Sequence, residues 1–125
     1  MLCTDVQVNC RSGRRLLPDN ENDLRELLQT PDKLMNITCS TEVAAMEVEF
    51  SETGAAFIGV VNEITDTVYY FDNGSGGEES VELLINFCPA EKMMCYDKDT
   101  ITDIIMHFCA TGEKSSKYKW IEEKV

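Results

Sequence analysis

Hydrophobic positions along the chain change period several times, and each change marks an element. Val6 and Val8 alternate with polar neighbours, which predicts a short strand. Leu24, Leu27 and Leu28 then share one face of a helix over about 21–29, with Asn20 placed to cap it and Pro31 to end it. From Met35 onward the period becomes two. Met46, Val48 and Phe50 alternate with Glu47 and Glu49, and the near-continuous apolar run Ala55 to Val61 follows a turn at Ser51 to Gly54. That pair reads as a hairpin with one strand central in a sheet. Thr67 to Phe71 is β-branched and aromatic, as a third strand would be. Val81, Leu83, Ile85 and Phe87 alternate with Glu82, Leu84 and Asn86, predicting a strand that Pro89 breaks, and Lys92 to Tyr96 predicts a short further one.

The sharpest helical pattern lies nearer the C-terminus, where Ile101, Ile104, Ile105 and Phe108 fall at i, i+3, i+4 and i+7. Asp97 or Asp99 caps its start, and Gly112 supplies its stop. Tyr118 to Glu122 returns as an extended segment with the sole tryptophan, Trp120. The resulting order is β-α-β-β-β-β-β-α-β. It predicts the α+β class: an antiparallel sheet of five to seven strands with two helices packed on it. With 125 residues, 1–125 form one domain.

Charge narrows the function classes. Against 23 Asp and Glu stand 11 Lys and Arg, a net charge of −12. Nucleic acid and anionic membranes are excluded as partners, since both need clustered cations and the sole basic cluster is Arg11, Arg14 and Arg15. A cationic protein is favoured, because complementary fields speed encounter; the alternative use of the acidity is solubility alone. Met1 to Val8 is interrupted by Thr4, Asp5 and Gln7, unlike a secretory signal, and no apolar run is long enough to span a membrane. A cytoplasmic location with six reduced cysteines is the expectation.

Candidate chemistry is sparse. Cys88, Cys95, His107 and Cys109 are the only cluster of soft ligands, but they lack the close pairs of a zinc knuckle. Cys88 and Cys109 read instead as core thiols. His107 and Cys109 are two apart on a helix and point about 200° from each other, so they share no proton. His107 reads as partly exposed and passive. The segment Asp72-Asn73-Gly74-Ser75-Gly76-Gly77-Glu78-Glu79 lacks the Lys-Ser/Thr of a phosphate-binding loop and the alternating carboxylates of a calcium loop. It is either a turn whose glycines tolerate positive φ, or a flexible acidic loop that contacts a partner. Trp120 has two readings, a core plug or an interface anchor.

The segment Asp72-Asn73-Gly74-Ser75-Gly76-Gly77 after a strand, the Val81 to Phe87 strand, the helix Ile101 to Phe108 and the Trp120-Ile121-Glu122 ending, taken in that order and spacing, resemble the Imm1 immunity proteins of bacterial polymorphic toxin systems. The resemblance covers roughly Leu16 to Glu122; Cys88 to Cys95 has no counterpart in the family pattern. It implies an α+β fold, no catalysis, no cofactor or metal in this chain, and a cognate toxin domain, commonly a zinc-dependent nucleic-acid cytidine deaminase held as a 1:1 heterodimer. The expected toxin-facing residues are Asp72, Asn73, Ser75, Gly76, Gly77, Glu78 and Glu79, with Trp120 and Glu122 as a second patch. Two other functions compete with this one: an acidic adaptor or inhibitor of another basic protein, and a metal-dependent hydrolase using the glycine loop.

Overall fold

A computed structural model describes residues 1–124. In chain order the elements are β1 (Asp5–Cys10), β2 (Arg15–Leu16), α1 (Glu21–Leu27), β3 (Leu34–Ser40), β4 (Ala44–Phe50), β5 (Ala56–Asn62), β6 (Thr67–Asp72), β7 (Val81–Glu82), β8 (Phe87–Cys88), β9 (Met94–Cys95), α2 (Lys98–Thr111) and β10 (Lys119–Lys124). The main sheet is antiparallel throughout and runs β10-β6-β5-β4-β3-β1-β2, with β9 also paired to β5. This is the α+β class expected from the pattern, an antiparallel sheet with two helices, although the main sheet has eight strands and β7-β8 form a separate two-stranded one. No described helix is long and apolar enough to cross a membrane.

Alternation decides the two faces. Val8 pairs with Ile37, Ile37 with Val48, and Val48 with Ile58, so a continuous apolar band crosses the sheet on one side. Leu24 from α1, Leu28 at its C-cap, and Ile101, Ile104, Ile105 and Phe108 from α2 join these strand residues in the main core. Capping fixes both helix starts as the sequence indicates. Asn20 Oδ1 accepts from the Asp23 backbone N–H at 2.9 Å, and Asp97, not Asp99, accepts from the Thr100 N–H at 3.1 Å. Gly112 ends α2 with φ of 76°, a left-handed conformation a side chain would strain.

Three local expectations are revised. Leu34–Ser40 is a full strand although its alternation is broken: Asn9 pairs with Asn36 but Cys10 with Leu34, so Met35 is an extra residue. That bulge puts Leu34, Ile37 and Cys39 on the buried side at uneven spacing. The strand expected over Val81 to Phe87 is instead the two-stranded hairpin β7-β8, its turn closed by the Leu83 N–H donating to the Asn86 carbonyl at 2.9 Å. Leu84 N–H bonds to the Phe50 carbonyl and Asn86 Nδ2 to Glu49 Oε1, so tertiary bonds replace a continuous ladder. Finally, Glu91–Met93 forms a 3-10 turn, which shortens the expected Lys92 to Tyr96 strand to Met94–Cys95.

On the sheet face away from the helices, Ala55, Leu83, Cys88, Ala90, Met93 and Met94 make a second, smaller core against Phe57, Tyr70 and Ile121. This cluster holds the 73–93 segment onto the β5-β6-β10 end of the sheet. Arg11 is spent structurally: its guanidinium donates to the carbonyls of Ser51 at 2.7 Å, Glu52 at 3.1 Å and Leu34 at 3.1 Å.

Candidate protein-binding surface

The acidic glycine segment begins where β6 runs out of partners. Asn73 is its keystone. Its backbone N–H donates to the Lys92 carbonyl at 2.7 Å, and its Nδ2 reaches the carbonyls of Glu91 and Met94, each at 2.9 Å, and Glu91 Oε2 at 3.1 Å. Its Oδ1 accepts from the Ser75 N–H at 2.8 Å, while Asp72 Oδ1 accepts from the Gly74 N–H at 2.9 Å. Each of these is an Asx turn, in which the side chain replaces a backbone partner.

Glu91 is the opposing hub. Its carboxylate accepts from the Ser75 hydroxyl at 2.5 Å, the Tyr96 hydroxyl at 2.9 Å and the Asn73 amide at 3.1 Å. The Ser75 hydroxyl first, then that of Tyr96, and then the Asn73 amide hold this carboxyl below its ordinary pKa. Desolvation at its hydroxyl first, and then the bond to Glu91, push Tyr96 up to about 12, although most of the residue is exposed. The segment closes with the Lys92 N–H on the Gly77 carbonyl at 3.0 Å and the Glu91 N–H on the Glu79 carbonyl at 2.8 Å. Lys92 Nζ pairs with Glu78.

The glycine pair has a packing reason. Gly76 sits at φ of 72°, where a side chain is strained, and a Cβ on Gly77 would lie 2.4 Å from Glu91 Oε1. Of the two readings, the turn with positive-φ glycines describes the segment: glycine here serves left-handed turns and close approach, and the side chains of Asp72, Asn73, Ser75 and Glu91 pin the result. Glu78 and Glu79 stand exposed on a fixed platform.

Trp120 takes the inner side. It pairs with Phe71 across β10 and β6, meets that ring edge-on at 6.2 Å, and packs partly buried against the main core. Its Nε1 donates to the Ser115 carbonyl at 2.8 Å. Of its two readings, the core plug describes this placement. Lys119 pairs with Asp72, so Trp120 is one residue from the acidic segment along β10 but on the opposite face from Lys119. Glu122 shares the Trp120 face, opposite Tyr69, and is exposed at the sheet edge. The two expected patches are thus neighbours along the chain ladder without forming one surface.

Among the described residues, no group of three or more His, Cys, Asp or Glu is arranged to hold a metal ion. Cys88 is buried in the smaller core and Cys109 in the main one, with Cys109 Sγ 3.5 Å from Cys39 Sγ; His107 is half-buried on α2.

The pattern reading missed the β7-β8 turn. Leu84, Ile85 and Phe87 are 37%, 59% and 66% exposed, whereas alternation assigned Ile85 and Phe87 to the buried side with Val81 and Leu83. The available signal was Leu84, an apolar residue on the polar phase, followed by turn-prone Asn86. Glu82 is the cross-strand partner of Phe87, and Glu49 is bonded to Asn86. The surface therefore combines a compact apolar group with acidic neighbours.

Fold and surface together define a small α+β protein in which helices cover one sheet face, while the other bears a pinned acidic loop and an apolar-tipped hairpin. No family model matches the chain, and neither a curated protein nor a solved structure does.

Proposed function

We propose that this chain is an immunity-type inhibitor that binds a basic toxin domain one-to-one and covers its active-site cleft. The toxin class is a nucleic-acid-targeting enzyme, in the first instance a cytidine deaminase, and any catalytic zinc belongs to that partner. The observation that carries the proposal is the charge of −12 on a fold whose acidic loop is held rigid before any partner arrives. A cleft built to receive a polyanion must be cationic, so an acidic protein competes for it directly. A pinned loop also avoids the ordering cost that weakens flexible binders.

Within the proposed surface Glu79 is the free outward acid, Glu78 shares its charge with Lys92, and Asp72, Asn73, Ser75, Gly76 and Gly77 shape the loop; Glu122 is a separate exposed acid at the sheet edge, on the other face. Trp120 braces the adjoining strand from the core side. The proposal places the protein in the cytoplasm, where its six free cysteines stay reduced. Likeness to immunity proteins in the Gly76-Gly77 and Trp120-x-Glu122 motifs supports the same reading.

The experiment is direct. The chain is co-expressed and purified with the toxin domain encoded by the gene beside its own, and deamination of single-stranded DNA and RNA is assayed with and without it. Stoichiometric chain is expected to abolish turnover. Full toxin activity at a tenfold excess of chain would remove the proposal.

A further inference from the structure

Nine large apolar side chains are exposed among the described residues, and three of them, Leu84, Ile85 and Phe87, lie within four positions of one another. Others sit apart: Leu17 after β2, Ile64 in the β5-β6 turn, Tyr96 before α2. Scattered exposure of this kind is ordinary, but a compact apolar group on a charged protein marks an interaction surface.

We infer that the β7-β8 hairpin is the element that anchors the partner, with Phe87 and Ile85 entering an apolar pocket on a basic protein. This inference rests on the reading above, that the partner is a basic toxin domain.

The hairpin is built to present these residues. Val81, Leu83 and Cys88 pack into the smaller core, which fixes its underside. Glu82 and Phe87 form the opposite cross-strand pair and are both exposed. The Leu84 N–H to Phe50 carbonyl bond at 3.1 Å and the Asn86 to Glu49 bond at 2.9 Å hold the turn against the end of β4. A pre-set aromatic flanked by residues that exclude water is the usual form of a binding hot spot.

Charge selects the occupant. From Asn73 to Lys92 the chain carries four glutamates, Glu78, Glu79, Glu82 and Glu91, against one lysine, Lys92, whose charge is taken up by Glu78. A second copy of the chain would set these acids against their own kind, and an anionic membrane would repel them. A basic protein surface with an apolar centre satisfies both the rim and the tip.

The test uses purified full-length chain and the neighbouring gene's toxin domain, with affinity read by biolayer interferometry. Phe87→Ser is expected to weaken binding about thirtyfold or more, and Ile85→Ser about tenfold. Ile64→Ser, which removes an apolar side chain that is 74% exposed elsewhere, is expected to change affinity less than about twofold. Glu82→Lys is expected to slow association and flatten its salt dependence. Hydrogen exchange on the unmutated complex supplies a readout free of folding defects, with new protection expected at Leu84 to Phe87. Wild-type binding that Phe87→Ser and Ile85→Ser leave intact, with no new protection, overturns the hairpin anchor and leaves the inhibitor reading standing. Absence of any wild-type binding overturns both. A dimer of the free chain that Phe87→Ser dissolves would assign the face to a second copy and overturn the anchor.

Discussion

Asn73→Asp changes one atom type at the centre of the acidic loop and nothing about its size. The amide Nδ2 has two hydrogens shared among three oxygens: the carbonyls of Glu91 and Met94 and the Glu91 carboxylate, at 2.9, 2.9 and 3.1 Å. A carboxylate there turns a donor into an acceptor facing acceptors. Two hydrogen bonds are lost at about 1 kcal/mol each, and charge repulsion from Glu91 adds to that. A loss of at least about 2 kcal/mol is expected at pH 7. With about 2.1 cal/mol/K of unfolding entropy per residue over 125 residues, it lowers Tm by about 8 °C.

The pH dependence separates this mechanism from simple loosening. Facing acceptors, the introduced carboxyl has a folded-state pKa above its unfolded one, so the folded state holds a proton more tightly. Its stability deficit is then smallest at low pH and grows as pH rises through the raised value. Asn73→Ala removes the same donors without the charge and lacks this dependence. Thermal melts at pH 7 and urea unfolding of both variants from pH 3.5 to 7.5 are the assays. A Tm change under about 2 °C at pH 7, or parallel pH profiles for the two variants, would refute the argument.

Other measurements probe the same structure. Glu91 has a depressed folded-state pKa, so the stability it contributes is complete above its ordinary value of 4.5 and is lost as pH falls; Ser75→Ala should move its NMR titration midpoint upward. Five of the six cysteines are buried and Cys10 is half-buried, with burial foremost among the causes that push the Cys95 thiol up to about 11. At pH 8 a thiol reagent should label Cys10 first and the other five only on unfolding, as read by mass spectrometry. Trp120→Phe retains an aromatic ring for Phe71 but loses the bond to the Ser115 carbonyl, and should cost about 1 kcal/mol in urea unfolding.

Legibility in the sequence followed the physics of each element. Ile101, Ile104, Ile105 and Phe108 were readable because a helix buries one regular stripe, and Asn20 because capping is a local hydrogen bond; between Asp97 and Asp99 the same local rule does not choose. Leu34–Ser40 was half legible: Met35, Ile37 and Cys39 alternate with Asn36, Thr38 and Ser40, and only Leu34 is thrown out of that phase by the bulge at Met35. The Val81 to Phe87 segment has strand-like alternation, yet its turn is set by Glu49 and Phe50, which lie more than thirty positions earlier. The acidic loop was located correctly but its stiffness was hidden, since Glu91 and Met94, which pin it, are remote in sequence and carry no motif of their own.

Stiffness and exposure at this end of the sheet belong to one arrangement. The smaller core consumes Leu83, Cys88, Met93 and Met94, the inward members of a segment that alternates around two turns. Fixing those residues turns their strand neighbours Glu82 and Phe87 outward, and Leu84 and Ile85 are exposed because they form the turn between the two strands. The Asn73 and Glu91 bonds then hold the first of these turns, and the Leu84 and Asn86 bonds the second, so both are set by the protein's own interior. A polar loop and an apolar tip prepared this way would lose little freedom on docking, as the proposed one-to-one inhibitor needs of its contact surface. If the exposed tip instead filled a gap in the fold, Phe87→Ser would lower stability; with two thirds of the side chain in solvent, the loss is expected in partner affinity and not in Tm.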